Sequence, residues 1–405
     1  MNKLLILLSF LLLSFCSYSQ MAKDYFNSAM SKANLEDDKG AIVEYTKAIE
    51  LDPKDAEAYY NRAVSKNKLQ DFVGAIDDYN QAIKLNPKHA KAYYNRGFNK
   101  YNLKEYIGAI EDYTKAIGLD PLDAKAYYNR GYNKSNLKDD EGAIADYTKA
   151  IELDPKDAEA YNERGISKNN LEDFKGAIAD YTKAIELEPN DANTYYHRAN
   201  SKANLKDEQE AIADYTKVIE LDPKFAKAYY NRANSKANLK DDRGAISDYT
   251  IALELNPKDA QAYYNRGINK ANLKDDQSAI TDYTKAIELD PKYAQAYYNR
   301  GINKANLKDD RGAITDYTIA IDLNPTYTQA YYNRGISKSK LEDYLGAIAD
   351  CTKAIELDPK HAEAYYRRGL SKLQIDDKIS GCLDLNKAAE LGVTKAYEVI
   401  KKNCQ

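Results

Sequence analysis

The chain has no tryptophan, three histidines, four cysteines and three methionines, and neither sign of charge dominates: 59 basic residues face 63 acidic ones, a net charge of −4. Each scarcity excludes a class of function. His89 and His361 stand in turns, and neither they nor His197 have a cysteine or second histidine at metal-ligand or nucleophile spacing, so we expect no enzyme, no metal and no cofactor. Interspersed charge creates no basic field to attract phosphates, which argues against a nucleic-acid partner. Acidic pairs such as Asp139 and Asp140 lack the glycine and ligand spacing of a calcium loop and read as helix caps.

Long apolar runs are missing as well, apart from the first residues. Leu4 to Phe15 is apolar except for Ser9 and Ser14, follows Lys3, and is too short for a span of about 20 residues. Small Ser17 and Ser19 precede Gln20 at the places a signal peptidase reads. Residues 1–19 are therefore expected to be a signal peptide and the mature chain to be exported, periplasmic or secreted, with no integral membrane span. Lipid anchoring through Cys16 is the weaker alternative, because bulky Phe15 stands where a lipobox wants a small residue.

Proline is scarce but ordered. The ten prolines fall at 53, 87, 121, 155, 189, 223, 257, 291, 325 and 359, always 34 residues apart. Such a period marks a repeat array. Counting from the alanine that opens each unit, repeats begin at 22, 56, 90 and so on to 362, eleven in all with the last degenerate, over residues 22–395. The excess of tyrosine belongs to the unit: 29 of the 37 fall at positions 4, 5 and 24. Position 16 is usually Asp, a good N-cap, and Ala, Ile, Tyr, Ala, Ile at 20, 21, 24, 27 and 28 form a helical stripe. Proline at 32 ends that second helix, and Asp55 or Asp157 at position 34 can cap the next one.

The unit AEAYYNRAVSKNKLQDFVGAIDDYNQAIKLNP, residues 56–87, resembles the tetratricopeptide repeat, with its aromatics at 4 and 24, small residues at 8, 20 and 27, and Pro at 32. The resemblance implies an all-α fold, a right-handed superhelical solenoid of helix pairs, and a protein that binds other proteins or peptides. Residues 396–405 are expected to form a C-terminal capping helix. Two departures stand out. Position 7, commonly Leu in the family, is Arg in ten repeats, and position 11, commonly aromatic, is Lys in all eleven. Position 23 is always acidic, so the arginine at position 7 is expected to pair with it across the two helices, with little effect on stability if exposed.

In the family, positions 2, 5, 6, 9, 12 and 13 face a concave groove. Tyrosine recurs here at position 5 and asparagine at positions 6 and 13. These columns resemble the asparagine ladder of O-linked N-acetylglucosamine transferase arrays and could hold the backbone of an extended peptide; the alternative is that they tie adjacent repeats together. Where repetition breaks, a site can form. The repeats at 90 and 124 carry Phe98, Tyr101 and Tyr132 at positions 9 and 12, and Lys91 and Lys125 at position 2. With Tyr94, Asn95, Tyr128 and Asn129 these predict an aromatic pocket rimmed by ammonium groups, suited to an acidic or aromatic peptide. The family's two-carboxylate clamp is not carried over: its best window keeps Asn333 and Arg367 but has Tyr298, Ile302 and Glu363 elsewhere.

Cys351 replaces a buried tyrosine and reads as a small core residue. Cys382 and Cys404 each lie 11 residues from Val393, so an antiparallel helix pair would bring them to one level and allow a disulfide. The sequence thus predicts a non-enzymatic scaffold binding an extended partner segment. Its alternative is a structural array of the cell envelope that works by self-association.

Overall fold

The computed structural model describes residues 2–404, with side chains from Tyr18 onward. The signal-peptide reading therefore rests on residues whose side chains, Cys16 included, lie outside the described part. Among the described residues the chain forms 23 helices and no strand. Two compact bodies are present, Met1–Leu205 and Lys206–Gln405. The first holds α1 (Asn2–Asn34), α2 (Asp38–Leu51), α3 (Ala56–Lys68), α4 (Phe72–Leu85), α5 (Ala90–Asn102), α6 (Tyr106–Leu119), α7 (Ala124–Asn136), α8 (Asp140–Leu153), α9 (Ala158–Asn170), α10 (Phe174–Leu187) and α11 (Ala192–Asn204). The second holds α12 (Glu208–Leu221), α13 (Ala226–Asn238), α14 (Asp242–Leu255), α15 (Ala260–Asn272), α16 (Asp276–Leu289), α17 (Ala294–Asn306), α18 (Asp310–Leu323), α19 (Thr328–Lys340), α20 (Tyr344–Leu357), α21 (Ala362–Gln374), α22 (Lys378–Glu390) and α23 (Lys395–Asn403).

Local chemistry explains the punctuation. Asp71 caps α4 by accepting the Gly74 N–H, and Asp55 caps α3 by accepting from Glu57 and Ala58. Each second helix up to α20 ends on a residue held extended before proline, such as Asp52 at φ −131° and ψ 86°. The turn inside the repeat is different. Position 15 is left-handed without being glycine, from Glu36 at φ 62° to Asp376 at φ 61°. It closes a Schellman motif: after α3, the Asp71 N–H reaches the Lys66 carbonyl and the Gln70 N–H reaches Asn67.

Within each body every helix packs on the next, and the first helices of neighbouring repeats also touch, as α3 does α5 and α15 does α17. Tyrosine at position 24 is the largest core side chain: Tyr79, Tyr147 and Tyr283 are buried, Tyr79 among alanines from both helices of its repeat. Position 8 is small throughout, Gly or a buried Ala such as Ala63, and at Gly301 even a Cβ would meet the Tyr317 ring at 2.7 Å. Tyrosine at position 4 is mostly only half-buried; its ring lies under the guanidinium of position 7, as Tyr263 does under Arg266 at 5.5 Å.

The expected pairing of the arginine at position 7 with the carboxylate at position 23 is present, and it is not a surface pair. Arg266 binds both oxygens of Asp282 at 2.9 and 2.7 Å and donates a third bond to Thr250 of the preceding repeat at 3.0 Å. Lys270, from position 11, reaches the same carboxylate at 2.7 Å. Asp282 is 2% exposed. The same arrangement joins Arg62, Lys66 and Asp78 in the first body. The lysine column is therefore the second counter-ion of a buried carboxylate. In the first repeat, where Ser28 replaces the arginine, the longer Glu44 reaches Lys32 at 3.0 Å.

At the C-terminal end α23 begins at Lys395, one residue earlier than expected, and stops before Cys404. It stands where the first helix of another repeat would, with Ala396 buried against Ala388, Ala389 and Val393, and Lys395 paired with Glu363 at 2.9 Å. Cys382 and Cys404 are joined in the structure, with Cα atoms 5.7 Å apart across a separation of 22 residues. Cys351 is buried, and burial pushes its thiol up to about 12. Cys382→Ser is expected to loosen the docking of α23 by about 3 kcal/mol, read as faster protease cleavage within residues 378–404. Unchanged cleavage, or two free thiols by mass in the unreduced protein, contradicts this role.

Candidate partner-binding surface

The asparagine columns resolve into ties between repeats. Asn95 donates its amide to the Tyr60 hydroxyl at 3.1 Å, Asn129 to Tyr94 at 2.8 Å, and Asn299 to Tyr264 at 3.0 Å, each from position 6 to position 5 of the repeat before. At position 13, Asn170 reaches Asp140 at 3.1 Å and Asn306 reaches Asp276 at 2.9 Å, again across a repeat boundary. Asn102 and Asn136 turn back onto their own helices instead, because the preceding repeats carry Phe72 and Tyr106 where an acidic partner would stand. Of the two readings of these columns, the structure uses them as fasteners.

The predicted pocket divides in two. Lys91, Tyr94, Asn95 and Lys125 gather in a cleft of about 330 Å³ with Tyr60, Asp120 and Asp123. Phe98, Tyr101, Tyr128 and Tyr132 do not line it. Lys91 and Phe98 are seven residues apart on one helix, about 10 Å along its axis, which is too far for a single small cavity. The aromatic residues form their own cluster further along α5 and α7. Tyr101 meets Tyr132 edge to face at 5.6 Å, Tyr132 stacks on Tyr128 at 6.3 Å, and Tyr128 leans on the core Tyr147 at 5.7 Å. The close Tyr101 hydroxyl, with burial, pushes Tyr132 up to about 12. Phe98 is 38% exposed. Of the nine predicted residues, Asn95 and Asn129 are spent on ties to Tyr60 and Tyr94.

A further break lies in the next two repeats. The repeat at 158 has Asn162 where tyrosine recurs and Glu163 where asparagine recurs, and the repeat at 192 has Thr194 for alanine and His197 for asparagine. The ring and amide of the ladder are both gone. In their place is a cavity of about 420 Å³ lined by Asn162, Glu163, Ile166, Thr194 and His197, with Glu159, Glu188 and Asp191 around it. The Thr194 hydroxyl donates to Asp191 at 2.5 Å, with the Asn162 amide oxygen 3.2 Å away, and the Thr194 backbone N–H is also held by Asp191 at 3.1 Å. Burial, helped by neighbouring Glu159, pushes Glu163 up to about 7. Burial also holds His197 below its usual range against the opposing pull of Asp191. Positions 5 and 6 departing together is legible in the sequence, but a search for apolar anchors passes over it.

Comparison with known proteins agrees with this geometry. Family models described as the tetratricopeptide repeat match residues 56–89, 158–191, 192–225 and 328–361, and also 90–121 and 226–259. A model described as the TPR repeat matches 35–70, 137–168 and 273–305. The chain belongs to the tetratricopeptide repeat family. Its fold is that family's all-α solenoid of helix pairs, and it is in general terms a protein-interaction scaffold. No curated protein matches the chain. Among solved structures, the C-terminal part of a TPR repeat-containing protein from Cytophaga hutchinsonii is 21% identical, covering 59% of this chain and 98% of its own with a TM-score of 0.53, and shares the fold. YrrB, described as a TPR protein with an unusual peptide-binding site, is 27% identical over 45% of this chain and 95% of its own, with a TM-score of 0.43. MamA from Desulfovibrio magneticus RS-1 is 26% identical over 42% and 96%, with a TM-score of 0.41.

Proposed function

We propose that this tetratricopeptide repeat protein is a non-catalytic scaffold whose first helices bind an extended segment of a protein partner, anchored in the repeats at 90 and 124. The observation that carries this is the half-exposed aromatic surface. Phe98, Tyr101 and Tyr132 occupy positions 9 and 12, where many other repeats have Ile, Asn, Ala or Ser, and Phe98 and the Tyr101–Tyr132 pair are not used in the core. Rigid rings that already lie on the surface give up little freedom on binding and supply large apolar area. The cleft of Lys91 and Lys125 beside them favours an acidic side chain in the same segment.

We also infer export, from the apolar run at Leu4 to Phe15 and the serines before Gln20. Among the described residues no helix is long and apolar enough to cross a membrane.

The test pairs a double variant with cross-linking in the native envelope. Phe98→Ala with Tyr132→Ala is expected to weaken capture of the cross-linked partner at least about tenfold while leaving helicity and melting nearly unchanged. Equal capture by the variant discards the aromatic surface. The intact mass of the captured chain should begin at Gln20; a mass that retains residues 1–19 discards the export reading.

A further inference from the structure

Repetition makes the exception informative. At Tyr60, Tyr94, Tyr230, Tyr264 and Tyr298 the tyrosine of position 5 takes the amide of the next repeat on its hydroxyl, as Tyr60 does from Asn95. At Asn162 the ring is missing, and at Glu163 and His197 the two flanking amides are missing too. Random decay of one ladder residue would leave a small defect. Here four substitutions, Thr194 included, fall around one cavity of about 420 Å³ and leave it polar.

The chemistry of the walls is one-sided. Glu159 and Glu163, one helical turn apart on α9, face the cavity together with Glu188 and Asp191, and no lysine or arginine lines it. Neighbours at that spacing lie about 5–6 Å apart at their Cβ atoms. Glu163 makes no ion pair among the described residues. His197 does not neutralise it either, because burial favours the uncharged imidazole. The floor is apolar, with Ala158, Ile166 and Ala184. Two carboxylates that no cation pairs, Glu159 taking only the Tyr128 hydroxyl, stand over apolar side chains with the amide oxygen of Asn162 alongside, which suits a flat cation with several donors better than a compact one.

We propose that the cavity between α9 and α11 is a subsite for an arginine side chain of a bound peptide, with its guanidinium held by Glu159 and Glu163 and its stem lying on Ile166. It deepens the groove-binding reading and rests on it for the source of the arginine, but the subsite can be tested without any natural partner.

The probe is an acetylated, amidated pentapeptide with sequence Ser-Ala-Arg-Ala-Ser, compared with the same peptide carrying citrulline, which keeps the shape and loses the charge. Binding is followed by NMR at the Ile166 methyl and His197 ring signals of the full chain. The arginine peptide should shift both saturably and bind at least about tenfold more tightly than the citrulline peptide. Asn162→Tyr with Glu163→Asn rebuilds the ladder found in the other repeats, so this variant should fold, and it should lose the binding. Phe98→Ala alone, whose ring does not line the cavity, should bind the probe like the wild type. Equal affinity for the two peptides, the absence of a saturable shift, or full binding by the rebuilt ladder overturns the subsite. Loss of partner capture in Phe98→Ala with probe binding intact bears only on the groove reading, so the two failures can be told apart.

Discussion

Replacing Asp282 with alanine is expected to destabilise the helix pair α15–α16 by about 3 kcal/mol, the low end of what a broken buried ion pair costs. The carboxylate is 2% exposed and is the shared anion of Arg266 and Lys270. Removing it leaves two cations facing each other in a half-buried site and frees the guanidinium that also holds Thr250 of the preceding repeat. Because the effect crosses a repeat boundary, it should appear as lost hydrogen-exchange protection in α14 as well as in α15 and α16, together with a lower urea midpoint. Glu288→Ala is the control. It removes an exposed partner of Lys285 on the same helix and should change the stability by less than about 0.5 kcal/mol. Equal effects from the two variants would mean that the buried carboxylates are not structural.

Glu163→Gln is expected to stabilise the protein by about 2–3 kcal/mol at pH 8 and to leave it unchanged at pH 4. The unfolded side chain ionises near 4.5, whereas the folded one, pushed up by burial and by Glu159, ionises near 7. Between those values the folded state holds a proton that the unfolded state has lost. Stability therefore falls as pH rises through that window, and the penalty is complete above pH 7. Glutamine matches the protonated acid and is free of it. Urea unfolding of the two proteins from pH 4 to pH 8 reads the difference directly; a gap that stays constant with pH would show that the Glu163 carboxylate is well solvated.

The period of 34, the N-caps, the small residues at position 8 and the pairing of arginine at position 7 with the acid at position 23 were all legible, because each is a relation between positions on the same two helices. Depth was not. A carboxylate at position 23 looks alike whether exposed or covered, and only packing against Thr250 and its neighbours shows that Asp282 is enclosed and that Lys270 serves it too. The asparagine columns were ambiguous for a chemical reason: an amide that can bind a peptide backbone can equally bind a neighbouring hydroxyl. The offset of 35 residues between Tyr60 and Asn95, one period plus one, is what settles it. The nine residues fall into two groups rather than one cavity, since a shared helix face is longer than a single cavity. Asn162 and Glu163 were readable as substitutions, but their consequence is a space, and a space has no sequence signature of its own.

The proposed working surface lies where the repetition is broken, and site-specific photo-cross-linking tests that most directly. A benzophenone amino acid at Phe98 or Ile166, both position 9 on first helices of the altered repeats, should capture a partner polypeptide in the native cells. The same group at Ile302, position 9 of a regular repeat, should capture far less. Cross-linking of equal strength at all three positions, or at Ile302 alone, would contradict the claim.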